Sequence, residues 1–308
     1  MMKKKILAIQ GSRLSRVNIE TDTTLFLALE AQKRSYQIYY FEPQDLSFLS
    51  GKVTAKCVHL TFVENNKKFY KINKKVNFNL LRANVILIRN EPPFNQQYIN
   101  TTFILEHIAK KVKIINHPRS IREVPEKLFS IRLAKYMPPT LISENLDEIK
   151  IFFKVNKKVI VKPINSYSGN EVLLLNSFNS KIIIKYIKKH NHIIFQKFLP
   201  KITSGDKRVF IINGKVKGAI TRVPKRGSIL SNMSKGAVAK ISKLTKQEMK
   251  ISKQVAILLK QQNIYFAGID FVQGKLIGDI NVTCPTGLAT HYSLTKVNLA
   301  KYFWDNLQ

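Results

Sequence analysis

Up to residue 120, short runs of Ile, Val, Leu and Tyr alternate with segments in which apolar residues recur at helical spacing. KKILAIQ, YQIYYFEP, ANVILIRNEPPF and VKIINHP predict strands, the third ended by a double proline. TTLFLALEAQKR (Thr23 to Arg34) and TTFILEHIAKK predict the helices between them. Helices interposed between apolar strands predict a parallel, covered sheet. In such sheets ligand-binding groups collect at the carboxyl ends of strands, which here carry Arg89-Asn90-Glu91-Pro92-Pro93 and Asn116-His117-Pro118.

Beyond that point the texture changes. A helix over Glu126 to Tyr136 leads through Pro138-Pro139 into a short α+β block with strands VIVKPI, EVLLLN and IIFQKFL. After Gly205 the pattern is that of hairpins. RVFIINGKVKGAI turns at Asn213-Gly214, a strong two-residue turn signal, and YFAGIDFVQGKLIGDINV turns at Gln273-Gly274. KRGSILSNMSKGAVAKISK, residues 225–243, is too polar for a strand pair and predicts a mobile loop. A last helix is expected over Ser293 to Leu307.

A chain of 308 residues, 44% of them hydrophobic, is long enough for two or three compact units. In MMKKKILAIQG the apolar run stops after five residues, too short for a signal peptide or membrane span, so a cytoplasmic protein with no membrane partner is expected. Cys57 and Cys284 are far apart and lack CxxC spacing, which excludes a disulfide framework or thiolate zinc site and fits reduced thiols. The formal charge of +33 raises a nucleic-acid partner as a question. Its lysines, however, are scattered doublets (Lys67-Lys68, Lys74-Lys75, Lys110-Lys111, Lys157-Lys158, Lys188-Lys189) set among Ile, Asn and Phe, as AT-rich codon drift produces. No specific nucleic-acid partner is expected, although the charge favours anionic substrates.

Candidate chemistry gathers in the hairpins. With a plain two-residue turn at Gln273-Gly274, Asp270 faces Ile277, and Asp270, Asp279 and Asn281 project from one face. Two carboxylates and an amide oxygen are hard ligands suited to Mg²⁺, with Mn²⁺ as an alternative. An acid inside the otherwise apolar FAGIDFV also needs a partner. Gly205-Asp206-Lys207-Arg208 and Arg222 bring charged groups to neighbouring strand ends, where ribose and phosphates are within reach, although GDKR alone reads as an ordinary turn. In VIVKPINSYSGNEV, Lys162 ends an apolar strand and precedes a loop with a single glycine, Gly169.

Taken in order, NIETDTTLFLALEAQKR, ANVILIRNEPPF, INHPRSIREVPEKLF, VIVKP, FQKFLP, GDKRVFIINGK, TRVP, FAGIDFV and INVTCPT resemble bacterial glutathione synthetase, an ATP-grasp carboxylate–amine ligase, over essentially the whole chain. The resemblance implies an α/β protein with a Rossmann-like substrate domain (1–121), a central α+β lid (122–200) and a C-terminal ATP-grasp unit (201–308). It implies ATP as co-substrate, and synthesis of glutathione from γ-glutamylcysteine and glycine through an acyl phosphate. It also implies a homotetramer. Carried over by position, Lys127 and Lys162 are phosphate contacts, Gln196, Lys197, Phe198 and Leu199 the adenine linker, and Asp206 the ribose contact. Asp270, Asp279 and Asn281 are metal ligands, Arg222 and Arg208 catalytic positions, and Arg89 and Asn232 substrate contacts.

The departures lie in the loops. Asn165-Ser166-Tyr167-Ser168-Gly169 replaces a glycine-rich phosphate loop, Asp279 stands where glutamate is usual, GSILSNMSKGAVAK replaces a Gly- and Arg-rich loop, and GLATHYS replaces a charged ending after INVTCPT. Two alternatives stay open on these grounds: a degenerate ATP-grasp protein that binds nucleotide without efficient ligation, and a sister ligase for another acid and amine.

Overall fold

The computed structural model describes residues 5–63 and 69–307. Met1–Lys4, the Lys67-Lys68 doublet and Gln308 lie outside the described residues. The elements run, in chain order, β1 Lys5–Gly11, α1 Thr23–Lys33, β2 Tyr36–Phe41, β3 Leu46–Leu49, β4 Lys52–Phe62, β5 Tyr70–Asn79, β6 Val85–Arg89, α2 Gln96–Glu106, β7 Lys113–Ile115 and α3 Pro118–Glu123. They continue with β8 Thr140–Ser143, α4 Leu146–Asn156, β9 Val159–Pro163, β10 Leu173–Leu175, α5 Ser180–His190 and β11 Ile193–Lys197. The last group is β12 Asp206–Ile212, β13 Lys215–Val223, β14 Val238–Ile241, α6 Lys246–Gln261, β15 Phe266–Val272, β16 Lys275–Asn281, α7 Leu288–Thr295 and α8 Leu299–Asp305.

The expected parallel sheet forms as β2-β1-β6-β7, with β1 pairing β2 and β6 in parallel and β6 pairing β7 in parallel. Its helices start where side chains satisfy the free backbone donors: the Asp22 carboxylate accepts from Leu25 N–H, and the Asn95 amide oxygen accepts from Tyr98 N–H. The sheet is wider than expected, because β3, β4 and β5 extend it past β2 as an antiparallel set. Two antiparallel sheets follow, β10-β9-β11-β8 and β14-β13-β12-β15-β16.

Four expectations change. Residues 126–136 do not form one helix; Phe129–Tyr136 is a pair of 3-10 turns kinked at Leu133. The stretch 225–243 is not loop throughout, since β14 pairs with β13 and takes its strand form from that ladder rather than from apolar alternation. The final helix is two, α7 and α8, broken by Lys296 in the left-handed region at φ 60°. In the β15–β16 hairpin Phe271 faces Leu276 but Ile269 faces Ile280, so a bulge adds two residues to β16 and Asp270 no longer opposes Ile277 alone. An even shift preserves the side-chain alternation, so Asp270, Asp279 and Asn281 keep one face.

Alternation along β12 divides one face of the third sheet between two tasks. Asp206 and Arg208 begin that face; Phe210 and Ile212 finish it as core. The apolar half joins Ile220, Phe266, Leu288, Phe303 and Trp304 to Leu7, Ile9, Leu25 and Leu27 of the first sheet and α1, forming a core across the first and third sheets. The second sheet, β10-β9-β11-β8, has its own core of Ile149, Phe153, Val159, Val161, Ile183, Ile193 and Phe195. Phe303 is fully buried at the shared core, and Phe303→Ala is expected to cost about 3–5 kcal/mol by cavity formation, read from the urea midpoint at constant m-value.

Candidate functional site

Between the second sheet and the face of the third sheet lies a cavity of about 640 Å³, extending to the carboxyl end of the first sheet at Glu91 and Pro92. Lys127, Lys162, Gln196 to Leu199, Asp206, Arg208, Arg222, Asn232, Asp270, Asp279 and Asn281 all line it. Arg89 does not. It is buried beside the cavity, with Nε donating to Thr24 Oγ1 at 3.1 Å and Nη2 donating to the Pro285 carbonyl at 2.8 Å, and it borders a second, smaller recess.

The floor is an alternating lattice of buried charges. Cross-strand pairing sets Asp206 opposite Arg222 and Arg208 opposite Asp270. Arg222 holds the Asp206 carboxylate through Nε at 2.8 Å and through Nη2, while Nη2 also lies 2.8 Å from Asp270 Oδ2. Arg208 holds Asp270 from the other side through Nε and through Nη2 at 2.8 Å. Burial pushes the Asp270 carboxyl up, but the Arg208 and Arg222 charges and hydrogen bonds outweigh it and hold the pKa down at about 2. The lattice also needs space: a Cβ on Gly268 would stand 2.8 Å from Arg208 Cδ, so the glycine in FAGID leaves room for the arginine stem.

Lys162 approaches from the opposite wall on β9, whereas Lys127 follows Glu126, whose carbonyl accepts from Ile280 N–H of β16, and reaches across to the loop after β9. Lys162 donates to the Ile277 carbonyl at 2.9 Å and lies 3.6 Å from Asp279 Oδ1. Lys127 donates to the Ser166 carbonyl and lies 3.5 Å from Glu126 Oε1. Gln196 is fixed by donating to Thr140 Oγ1 at 2.9 Å, and Ile160, Leu199, Ile202, Val272 and Ile277 add apolar wall.

The sequence reading missed Glu126, which lines the cavity beside Lys127. Its burial pushes the carboxyl upward, against Lys127 and together with the repulsion of Asp279. The available signal was its place immediately before Lys127 in VPEKLF.

For a hard cation the donors fit. Asp279 Oδ1 is buried and accepts no hydrogen bond, although Lys162 is nearby. Asn281 Oδ1 accepts from Cys284 N–H at 3.1 Å and from the Thr283 hydroxyl at 3.4 Å, so it ligates a cation by giving up the longer Thr283 contact. Among the described residues no three of His, Cys, Asp and Glu gather around one point, so the set depends on the Asn281 amide. One or two carboxylates suffice for Mg²⁺ when phosphates and water complete the shell.

The glycine-poor loop takes a glycine-type path nonetheless. Ser168, Gly169 and Glu171 all have positive φ, at 52°, 70° and 57°. Gly169 has a second constraint: a Cβ there would lie 2.7 Å from Asn232 Oδ1 and 3.2 Å from Leu230 Cδ2, so the two altered loops meet over the cavity. Cys284 lines the cavity as a free thiol, and burial pushes it up to about 11, which leaves it unreactive as a nucleophile near neutrality.

Solved structures share this architecture. The D-cycloserine synthetase DcsG aligns with a TM-score of 0.66 at 11% identity over 98% of this chain and 100% of that one. D-alanyl-alanine synthetase A from Vibrio cholerae aligns with a TM-score of 0.62 at 13% identity over 100% and 99%. The ATP-grasp ligase PsnB, with its minimal precursor, aligns at 0.62 and 14% identity over 98% of each chain. These define the class by fold, an ATP-grasp architecture behind a Rossmann-like unit.

Sequence comparison is more specific. Residues 6–122 match the prokaryotic glutathione synthetase N-terminal domain and residues 126–296 its ATP-grasp domain. Glutathione synthetase of Bradyrhizobium diazoefficiens is 34% identical over 305 residues, covering 98% of this chain and 97% of the relative. That of Wigglesworthia glossinidia brevipalpis is 34% identical over 301 residues, covering 96% and 95%. The chain belongs to the prokaryotic glutathione synthetase family.

Within GLATHYS, Gly287 and Thr290 line the cavity, whereas His291 turns into the core against Phe210, with ring centroids 5.7 Å apart. Burial lowers its pKa, so the folded state favours neutral imidazole and the unfolded chain binds a proton first on acidification. The His291 contribution is therefore complete above the unfolded value of about 6.5 and is lost as pH falls from there toward the folded pKa. His291→Gln is expected to flatten the fall in urea midpoint between pH values of about 7.5 and 5.5; an unchanged slope assigns the fall to other groups.

Proposed function

We propose that the chain is an ATP-dependent carboxylate–amine ligase that joins γ-glutamylcysteine to glycine, giving glutathione, ADP and phosphate. The observation that carries this is one cavity that brings Lys127 and Lys162 together over a carboxylate–arginine lattice, in a chain matched to the family over residues 6–122 and 126–296. Among the described residues no helix is long and apolar enough to cross a membrane. From the resemblance alone, the units are 1–121, 122–200 and 201–308, and the assembly is a cytoplasmic homotetramer.

The chemistry follows from what these side chains can do. Gln196, Lys197, Phe198 and Leu199 offer an edge of polar groups beside apolar wall, suited to a flat adenine ring, and Asp206 lies within reach of the ribose. Lys127 and Lys162 exchange their carbonyl partners, Ser166 and Ile277, for phosphate oxygens. Asp279, Asn281 and Asp270 hold Mg²⁺, or Mn²⁺, which supplies charge neutralisation for the phosphates when bound. The acid's carboxylate oxygen attacks the γ-phosphorus, the bond to the ADP bridging oxygen breaks, and an acyl phosphate forms. The amine then attacks the acyl carbon, loses a proton, and phosphate departs with the original carboxylate oxygen. Arg222 and Arg208 face the transferring group with charge fixed by the lattice, which lowers the reorganisation needed at the transition state. Asn232, with Gly169 beneath it, closes the cavity and excludes water from the acyl phosphate, and Arg89 acts from outside the cavity by holding the Pro285 carbonyl.

Supplied with Mg-ATP, γ-glutamylcysteine and glycine, the protein is expected to release ADP in step with tripeptide. ADP release that requires a different acid or amine would replace the substrate assignment. Asp279→Asn is expected to lower kcat by at least about 100-fold with little change in Tm, because its side chain is partly exposed. Asp270→Asn is expected to lose stability as well, since it leaves two buried arginines short of a partner.

A further inference from the structure

Asn116 follows β7 and is buried at the end of the first sheet, outside the cavity wall. Its Nδ2 donates to the Phe266 and Val282 carbonyls, each at 2.7 Å, and its Oδ1 accepts from Tyr265 N–H at 2.9 Å and Phe266 N–H at 2.8 Å. Both donors and both lone pairs of the amide are thereby used. The chemistry also fixes its orientation, because a flipped amide would turn N–H groups toward N–H groups and oxygen toward two carbonyls.

The four backbone groups lie at the open end of one hairpin. Tyr265 directly precedes β15 and Phe266 begins it, and Val282 directly follows β16, whose last ladder pair is Gly268 with Asn281. Asn116 thus supplies one more rung after the ladder ends. From Val282 the chain turns through Cys284, whose N–H donates to Asn281 Oδ1, to Pro285, whose carbonyl accepts from Arg89 at 2.8 Å. The turn 282–285 is held at one end by Asn116 and at the other by Arg89, the residues at the carboxyl ends of two neighbouring parallel strands.

We infer that Asn116 is a positioning residue: it sets the distance between the first sheet and the hairpin that carries Asp270, Asp279 and Asn281. For its effect on turnover this rests on the ligase reading above. In-line transfer needs the acid, presented by the first sheet, to meet a γ-phosphoryl group held at the hairpin. A misplacement of about 1 Å far from the chemistry can cost about 100-fold in rate. Loss of the rung releases Val282, and with it Asn281, at the end of β16 away from the adenine wall.

The test compares Asn116→Ala with Trp304→Phe, which removes a different link between the same parts of the molecule, the 2.9 Å bond from Trp304 Nε1 to the Leu27 carbonyl. Both variants are expected to lower Tm. Asn116→Ala alone is expected to lower kcat by about 100-fold while KM for ATP stays within about twofold. A fall in kcat no larger than that of Trp304→Phe, or a parallel rise in KM for ATP, would overturn the inference. If Asn116→Ala does not fold, Asn116→Ser, which keeps a small polar group too short to reach all four backbone partners, is read by the same criteria. Amide hydrogen exchange of the peptides spanning 264–284 gives a readout that does not need turnover. Faster exchange in the Asn116 variant than in Trp304→Phe supports the clamp even if the wild type makes no tripeptide, in which case the ligase reading falls and the clamp stands. Equal exchange in the two variants sinks the clamp itself.

Discussion

The site depends on the buried chain of charges Asp206, Arg222, Asp270 and Arg208. Two carboxylates and two guanidinium groups taken out of water are expensive, and removing any one member strands its neighbours. Such a group persists only where strand pairing supplies the partners automatically, and here two of the three ion pairs are cross-strand neighbours on adjacent ladders. The Gly268 gap, the apolar continuation at Phe210 and Ile212, and the core shared with the first sheet follow from keeping that face rigid and dry. Electrostatic preorganisation of this kind is what a phosphoryl-transfer site requires, since little covalent chemistry is left for side chains to perform.

Much of this was legible locally. The Asn213-Gly214 and Gln273-Gly274 turns announced their hairpins, and a two-residue bulge in the second left the side-chain alternation intact, so the face shared by Asp270, Asp279 and Asn281 came out right although the pairing partner did not. What escaped was non-local. YKINKKVNFN exposes Lys71 through Lys75 in succession and becomes β5 only because β4 lies alongside it, and VAKI becomes β14 only against β13. The break between α7 and α8 depends on one left-handed lysine, Lys296, which no periodicity reveals. Glu126 was missed although it stands immediately before Lys127, because its closeness to Asp279 comes only from the packing of its segment on β16, and the bonds of Arg89 to Thr24 and Pro285, which keep it out of the cavity wall, were equally unreadable in RNEPPF.

The altered loops acquire a common explanation. Ser168 and Glu171 hold left-handed backbone that glycine would adopt more cheaply, at about 1 kcal/mol each. The one glycine retained is the one on which Leu230 and Asn232 close. The loop 165–169 and the segment 225–243 meet at that glycine and enclose the cavity together.

The central claim, that the acid is activated by transfer of a phosphoryl group to its carboxylate, is tested most directly by isotope transfer. With γ-glutamylcysteine labelled by ¹⁸O in the reacting carboxylate, mass analysis of the phosphate released during tripeptide formation is predicted to find one ¹⁸O per phosphate. Phosphate without ¹⁸O, formed while tripeptide accumulates, would contradict the account.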